Sequence, residues 1–263
     1  MNNESQIKEL VKEKYAAIAE QSQEQNATSC CGATSACCGD EVYNIMADDY
    51  TKLEGYNPEA DLGLGCGLPT EFAKIKTGDT VIDLGSGAGN DAFIARKIVG
   101  ENGKILGIDF TEAMIKKARA NAEKLSFNNV EFRLGDIDDM PVTSNYADVI
   151  VSNCVLNLVP NKHKVISEIF RVLKPGGKLV ILEFSKPNWG FKNLYNVYMG
   201  IVAPEVARWF RQNKDAYRYL NKSSNAFPDR SEFTAILNRV GFSNTECKPL
   251  SFGICCIYSG RKL

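Results

Sequence analysis

A chain of 263 residues with 44% hydrophobic content is long enough to bury one large core, with appendages, in a single domain. Lys and Arg total 31 against 32 Asp and Glu, a formal charge of -1, so no whole-chain basic excess recommends nucleic acid as a partner. No apolar run of about 18 residues suggests a transmembrane segment. The polar, acidic start Met1-Asn-Asn-Glu-Ser-Gln6 is unlike a signal peptide, so a cytoplasmic location is expected.

Residues 3–21 place Ile7, Leu10, Val11, Tyr15, Ile18 and Ala19 at spacings of three and four, which predicts an amphipathic helix. Residues 22–40 lose all periodicity and hold Cys30, Cys31, Cys37 and Cys38, a loop by composition. Residues 41–60 are weakly helical in pattern. Leu62-Gly-Leu-Gly-Cys66-Gly-Leu-Pro69 then makes a Gly-rich turn, without the preceding strand or the Lys-Ser/Thr ending of a phosphate loop.

The centre of the chain is Thr80-Val-Ile-Asp-Leu-Gly-Ser-Gly-Ala-Gly-Asn-Asp91. An apolar run meets Asp83, glycines alternate at 85, 87 and 89, and a helical pattern starts at Asp91; this is strand, tight turn and helix, the layout of a nucleotide-cofactor loop. A second strand, 104–109, ends in Asp109, roughly 20 residues after the loop, where a ribose-binding carboxylate belongs. Thr111 is the expected N-cap of a helix over 112–125. Further strands are expected at 130–134, leading into Gly135-Asp136-Ile137, at 147–152, leading into Asn153-Cys154, and at 178–184. A helix over 162–173 and the stop Lys174-Pro-Gly-Gly177 separate the last two. Strands alternating with helices predict parallel β-α-β units whose ligands sit at the carboxyl ends of the strands. An aromatic-rich segment, 188–226, is expected to be a helical cap, followed by a helix over 229–240 and a hairpin over 244–260 at the sheet edge.

The expected fold is therefore α/β, a Rossmann-like and mainly parallel sheet of about seven strands with an antiparallel edge and helices on both faces. Its divisions are an N-terminal helical and Cys-rich arm (1–61), a core (62–187), the cap (188–228) and a C-terminal helix with edge strands (229–263).

Asp83-Leu-Gly-Ser-Gly-Ala-Gly89, Asp109, Gly135-Asp136-Ile137 and Arg171-Val-Leu-Lys-Pro-Gly-Gly177 occur in the order that resembles class I S-adenosylmethionine methyltransferases. The Gly-x-Gly-x-Gly spacing departs from the Gly-x-Gly-x-x-Gly of dehydrogenases. The resemblance implies S-adenosylmethionine as cofactor, with Asp83, Gly85, Gly87 and Gly89 against its methionine part. It likewise places Asp109 on the ribose hydroxyls, Asp136 on the adenine amino group and Ile137 on the ring; Ser86, Phe110, Met114 and Asn153 complete the implied set.

Within that class the chain is composite. Residues 11–178, including Ser29-Cys-Cys-Gly32, Leu62–Pro69 and Ser152-Asn-Cys-Val-Leu-Asn-Leu158, resemble bacterial arsenite methyltransferases. Residues 182–263, including Leu182-Glu-Phe-Ser-Lys-Pro187, Ala226-Phe-Pro228 and Leu250-Ser-Phe-Gly-Ile254, resemble menaquinone and ubiquinone C-methyltransferases. Nine cysteines, an odd number, suit soft-metal or redox chemistry better than a full disulfide set. The arsenite reading makes trivalent arsenic, free or thiol-conjugated, the small-molecule substrate. Cys154 and Cys66 are then its first ligands and Cys31 a candidate third, while Cys30 and Cys31 would deliver the metalloid, ligate it or reduce a disulfide formed during turnover. A cellular thiol would supply electrons. The quinone reading needs a base to make an aromatic carbon nucleophilic, and none stands out. A non-catalytic protein that responds to S-adenosylmethionine or metal is a third reading. Cys247, Cys255 and Cys256 are expected in edge-strand packing, and His163, the only histidine, exposed at a helix start.

Overall fold

The computed structural model describes Lys12, Tyr15, Ala16 and Ala19, residues 55–62, 67–185 and 227–228, and residues 230–263. Most of the expected N-terminal arm and all of the expected helices over 188–226 lie outside the described residues, as do Cys30, Cys31, Cys37, Cys38 and Cys66.

Seven strands form one sheet: β1 (Thr80–Leu84), β2 (Lys104–Asp109), β3 (Val130–Leu134), β4 (Ala147–Asn153), β5 (Leu173–Phe184), β6 (Phe242–Leu250) and β7 (Cys255–Lys262). Their spatial order is β3-β2-β1-β4-β5-β7-β6. The first five are parallel and β7 is antiparallel to both neighbours. The helices are α1 (Pro69–Ala73), α2 (Asn90–Val99), α3 (Glu112–Lys124), α4 (Lys162–Val172) and α5 (Arg230–Val240).

The parallel strands read as unbroken apolar runs because both faces are covered. Alternate residues of β1 enter different layers. Val81 joins Val149, Val151 and Val180 on one side, and Ile82 and Leu84 join Ile150 and Ile181 on the other. These side chains are at most 4% exposed, and each such burial contributes roughly 1.5–3 kcal/mol. Lys262 at the end of β7 donates from Nζ to the carbonyls of Phe170 and Leu173 at 2.7 and 2.8 Å, fastening the sheet to the last turn of α4, where a cation is favoured. Neighbours β1 and β4 carry the chain in opposite directions across the sheet, so a crevice opens where their carboxyl ends diverge.

Four local expectations change. Residues 55–60 form turns rather than helix. Thr111 makes no side-chain cap to α3; its N–H instead donates to Asp109 Oδ1 at 2.8 Å. Strand β5 begins at Leu173, before the Pro-Gly-Gly turn, because Leu173 pairs with Ala147 and the register shifts before Lys178 meets Val149. Cys255 and Cys256 are buried on β7, which lies between β5 and β6 and is interior to the sheet; only Cys247, on β6, is on an edge strand. His163 is exposed in the first turn of α4, where Asn161 caps the helix by accepting from Lys164 N–H at 3.0 Å.

Candidate active site

Three buried carboxylates gather at the cofactor side of the crevice. Asp83 is the penultimate residue of β1 at 2% exposure, Asp109 ends β2 at 7%, and Asp91 sits in the first turn of α2 at 9%. Burial pushes the Asp83 carboxyl well above the ordinary range, and the neighbouring Asp91 and Asp109 charges push it further, while an Ala92 N–H pulls it down. Asp83 Oδ2 is buried with no hydrogen-bond partner. Burial also raises Asp109, against the N–H groups of Thr111 and Gly87. Such a cluster attracts a cationic ligand, because positive charge would offset both desolvation and mutual repulsion.

The glycine loop is shaped by β2. Gly85 and Ser86 donate their N–H groups to Ile108 O at 2.8 and 3.0 Å, and Gly87 N–H donates to Asp109 Oδ2 at 3.0 Å. Asp109 thus accepts a backbone N–H on each of its oxygens. Gly87 has φ +51°, and a Cβ built there would meet nothing within 4 Å, leaving open space over the loop. Ser86 Oγ is buried without a partner and lies 2.7 Å from where a side chain on Gly107 would begin, so the glycine in β2 makes room for it.

Most of the remaining cofactor-side candidates are divided between the turn after β3 and the two apolar layers. Asp136 follows β3 and accepts from Asp138 N–H at 3.2 Å, forming a local turn. Gly135 N–H donates to Asp109 O at 3.0 Å, holding this turn beside the end of β2. Ile137 is 7% exposed in the apolar layer that includes Ile108 and Met140, and Met114 is fully buried in the opposite layer. Phe110 is half-buried.

At the other side, β4 ends in Asn153 and Cys154. Asn153 Nδ2 donates to Asp91 Oδ2 at 2.8 Å and to Gly67 O at 2.9 Å, tying three separate segments together. Cys154 has φ +57°, an uncommon conformation for a residue with a side chain, and its N–H donates to Leu182 O at 2.8 Å. It is disulfide-bonded, whereas Cys247, Cys255 and Cys256 are free thiols. Among the described residues no three His, Cys, Asp or Glu side chains are grouped to hold a metal ion. No helix among them is long and apolar enough to cross a membrane.

Two acids escaped the sequence reading. Asp91 looked like an ordinary first-turn helix residue. Glu183 lay inside an apolar strand, where an acid with 0% exposure is itself a signal once burial is known.

Residues 69–262 match the model of the ubiE/COQ5 methyltransferase family. An arsenite methyltransferase of Halobacterium salinarum is 43% identical over 190 residues, 67% of this chain and 46% of that protein, so the match spans less than half of that relative. A demethylmenaquinone methyltransferase of Desulfitobacterium hafniense is 31% identical over 236 residues, 88% of this chain and 92% of that one. Among solved structures, a SAM-dependent methyltransferase from Aquifex aeolicus shares the fold at TM-score 0.57 and 22% identity, covering 82% of this chain and all of that one. An arsenic(III) S-adenosylmethionine methyltransferase from Chlamydomonas reinhardtii superposes at TM-score 0.51 with 26% identity, covering 74% of this chain and 65% of that one. With a match across most of its length, a seven-stranded Rossmann-like sheet and a glycine loop at the switch point, the chain belongs to the ubiE/COQ5 methyltransferase family and is an S-adenosylmethionine-dependent methyltransferase.

Proposed function

We propose that this enzyme methylates thiolate-bound trivalent arsenic. The observation that carries the reading is Cys154, which stands at the carboxyl end of β4 beside the switch point in a left-handed backbone conformation. Its sulfur, once reduced to a thiolate, suits a soft metalloid. The 43% identity to an arsenite methyltransferase supports the same acceptor. Cys66 and Cys31 are the further ligands proposed, with Cys30 assisting delivery or reduction.

On the cofactor side, Asp83, Ser86 and Gly85, Gly87 and Gly89 would cradle the methionine part, with Asp109 taking the ribose hydroxyls. Asp136, Ile137, Phe110 and Met114 would border the adenine, and Asn153 would link the two sides. The residues fit the group: Asp83 Oδ2 is buried and unpartnered among carboxylates, and the space above Gly87 is open. When bound, S-adenosylmethionine would supply a methyl on its sulfonium sulfur: an acceptor lone pair bonds to the methyl carbon as the carbon–sulfur bond breaks, and S-adenosylhomocysteine leaves as the neutral thioether. The protein's part is positioning, because arsenic held by thiolates keeps its lone pair and needs no base. Gain of the methyl makes arsenic formally pentavalent, and two electrons from thiols, which become a disulfide, return it to the trivalent state.

Purified protein given S-adenosylmethionine, a thiol and arsenite should release methylated arsenicals and S-adenosylhomocysteine, and C154S should lose the arsenicals. Absence of methylated arsenic from the wild type, or unchanged output from C154S, removes this reading. The alternative acceptor is a demethylmenaquinol, favoured by the match over 92% of a demethylmenaquinone methyltransferase. A parallel assay with that quinol separates the two.

A further inference from the structure

We infer that Glu183 is a positioning residue for the acceptor side: its carboxyl fixes the turn that follows Cys154. This rests on the role proposed for Cys154. Glu183 ends the apolar part of β5 at 0% exposure, one residue after the Leu182 carbonyl that holds Cys154 N–H. Asn157 N–H donates to Glu183 Oε2 at 3.1 Å and Asn157 Nδ2 to Oε1 at 2.5 Å, and Phe184 N–H donates to Oε1 at 3.1 Å. Asn157 is the middle residue of the short 3-10 turn Leu156–Leu158. The other side of this segment rests on the cofactor loop, since a Cβ on Gly85 would lie 2.4 Å from Val155 Cγ2. Residues 154–158 are therefore clasped between Gly85 and Glu183, and the left-handed Cys154 is the first residue of the clasped segment.

The surroundings explain why a carboxyl can sit there. Burial raises it to about 8, so at neutral pH it keeps its proton, and the clamp joins two uncharged groups. A proton on Oε1 would face the Asn157 amide, whose Oδ1 is buried without a partner; turning the amide over would let Oδ1 accept that proton. The groups facing Glu183 are Lys162 of α4, which favours its charged form, and its cross-strand partner Cys256 of β7. Cys256 in turn hydrogen-bonds Cys247 of β6 and meets Arg230 of α5.

E183A and N157A should each lower kcat for arsenite methylation about tenfold or more, since misplacement of a reacting group has effects of that order. The calorimetric Kd for S-adenosylmethionine should stay within about twofold. E183Q, which can pair amide to amide with Asn157, should recover kcat to within about threefold of the wild type, and E183A/N157A should be no worse than the poorer single variant. A kcat for E183A near that of the wild type, or an E183Q as poor as E183A, overturns the inference. If E183A does not fold, N157A, which leaves the carboxyl in place, decides in the same way. If the wild type methylates no arsenic, the acceptor reading has failed, and the clamp is judged separately by iodoacetamide alkylation of Cys154 in reduced protein. E183A or N157A should change that rate about fivefold and E183Q should not; equal rates in all variants refute the clamp.

Discussion

At the ends of β1 and β2 three carboxylates, Asp83, Asp91 and Asp109, crowd one glycine loop, whereas at the end of β5 a single carboxyl, Glu183, is wrapped by two backbone N–H groups and the Asn157 amide. Both sets are buried, and the carboxyls of Asp83, Asp109 and Glu183 are raised, yet the causes differ. Asp83 suffers from its neighbours' charge as well as from burial, a tension that a cation relieves. Glu183 is raised by burial alone and is opposed by its N–H donors and Lys162, so as a neutral acid it holds a turn in place. The first arrangement is suited to attracting a charged ligand. The second is suited to fixing geometry.

The largest expected effect is on stability against pH at Glu183. Its folded pKa, about 8, lies above the ordinary 4.5, so its contribution is fully present below about pH 4.5 and is lost as pH rises through about 8. E183Q removes that titration. Over this window the stability of the wild type should fall relative to E183Q by roughly 4–5 kcal/mol, an upper figure read from urea midpoints. Parallel pH curves for the two proteins would mean that Glu183 is ionised throughout.

Next in size is G85A, which couples the two sides. Its Cβ would overlap Val155 at a backbone angle of φ +66°, so steric and conformational costs add to about 2–4 kcal/mol. Urea unfolding should show the loss, and reduced Cys154 should alkylate at an altered rate. Wild-type stability would show that the contact yields easily.

D109A comes third. It removes the acceptor proposed for the ribose and frees Gly87 N–H, so calorimetry should show S-adenosylmethionine bound about 100-fold more weakly, from charge-assisted hydrogen bonds of roughly 1.5–3 kcal/mol. An unchanged Kd would relocate the cofactor.

The smallest effect should be at Asp83. D83N relieves repulsion that costs the empty protein stability as pH rises through the raised pKa, so at neutral pH the melting temperature without ligand should increase. Affinity for S-adenosylmethionine should nevertheless drop about tenfold, the cost of losing one partly desolvated charge partner. A variant that melts higher and binds equally well would refute the idea that these acids await a cation.

Much of the cofactor side was legible because its signals are close in sequence. Asp83, the loop Gly85–Gly89 and the start of α2 succeed one another without a gap, and apolar runs between turn residues located the strands to within a few residues, except for the early start of β5 at Leu173. Thr111 misled for an equally local reason: a good capping residue was present, but Asp109 two residues earlier had already taken its N–H. Cys255 and Cys256 were placed at an edge because a terminal hairpin suggests one. The antiparallel insertion of β7 beside β5 overrides that expectation.

By itself, then, the sequence determined the alternation of strands and helices, the glycine loop and the acids at the ends of β1 and β2, since each follows from residues adjacent along the chain. Only the tertiary structure decided how Asn153 reaches Asp91 across 62 residues and how Asn157 reaches Glu183 across 26. Those partners meet because β4 lies between β1 and β5 in the sheet. No local pattern reports such an order, since it is selected by the burial of both faces at once.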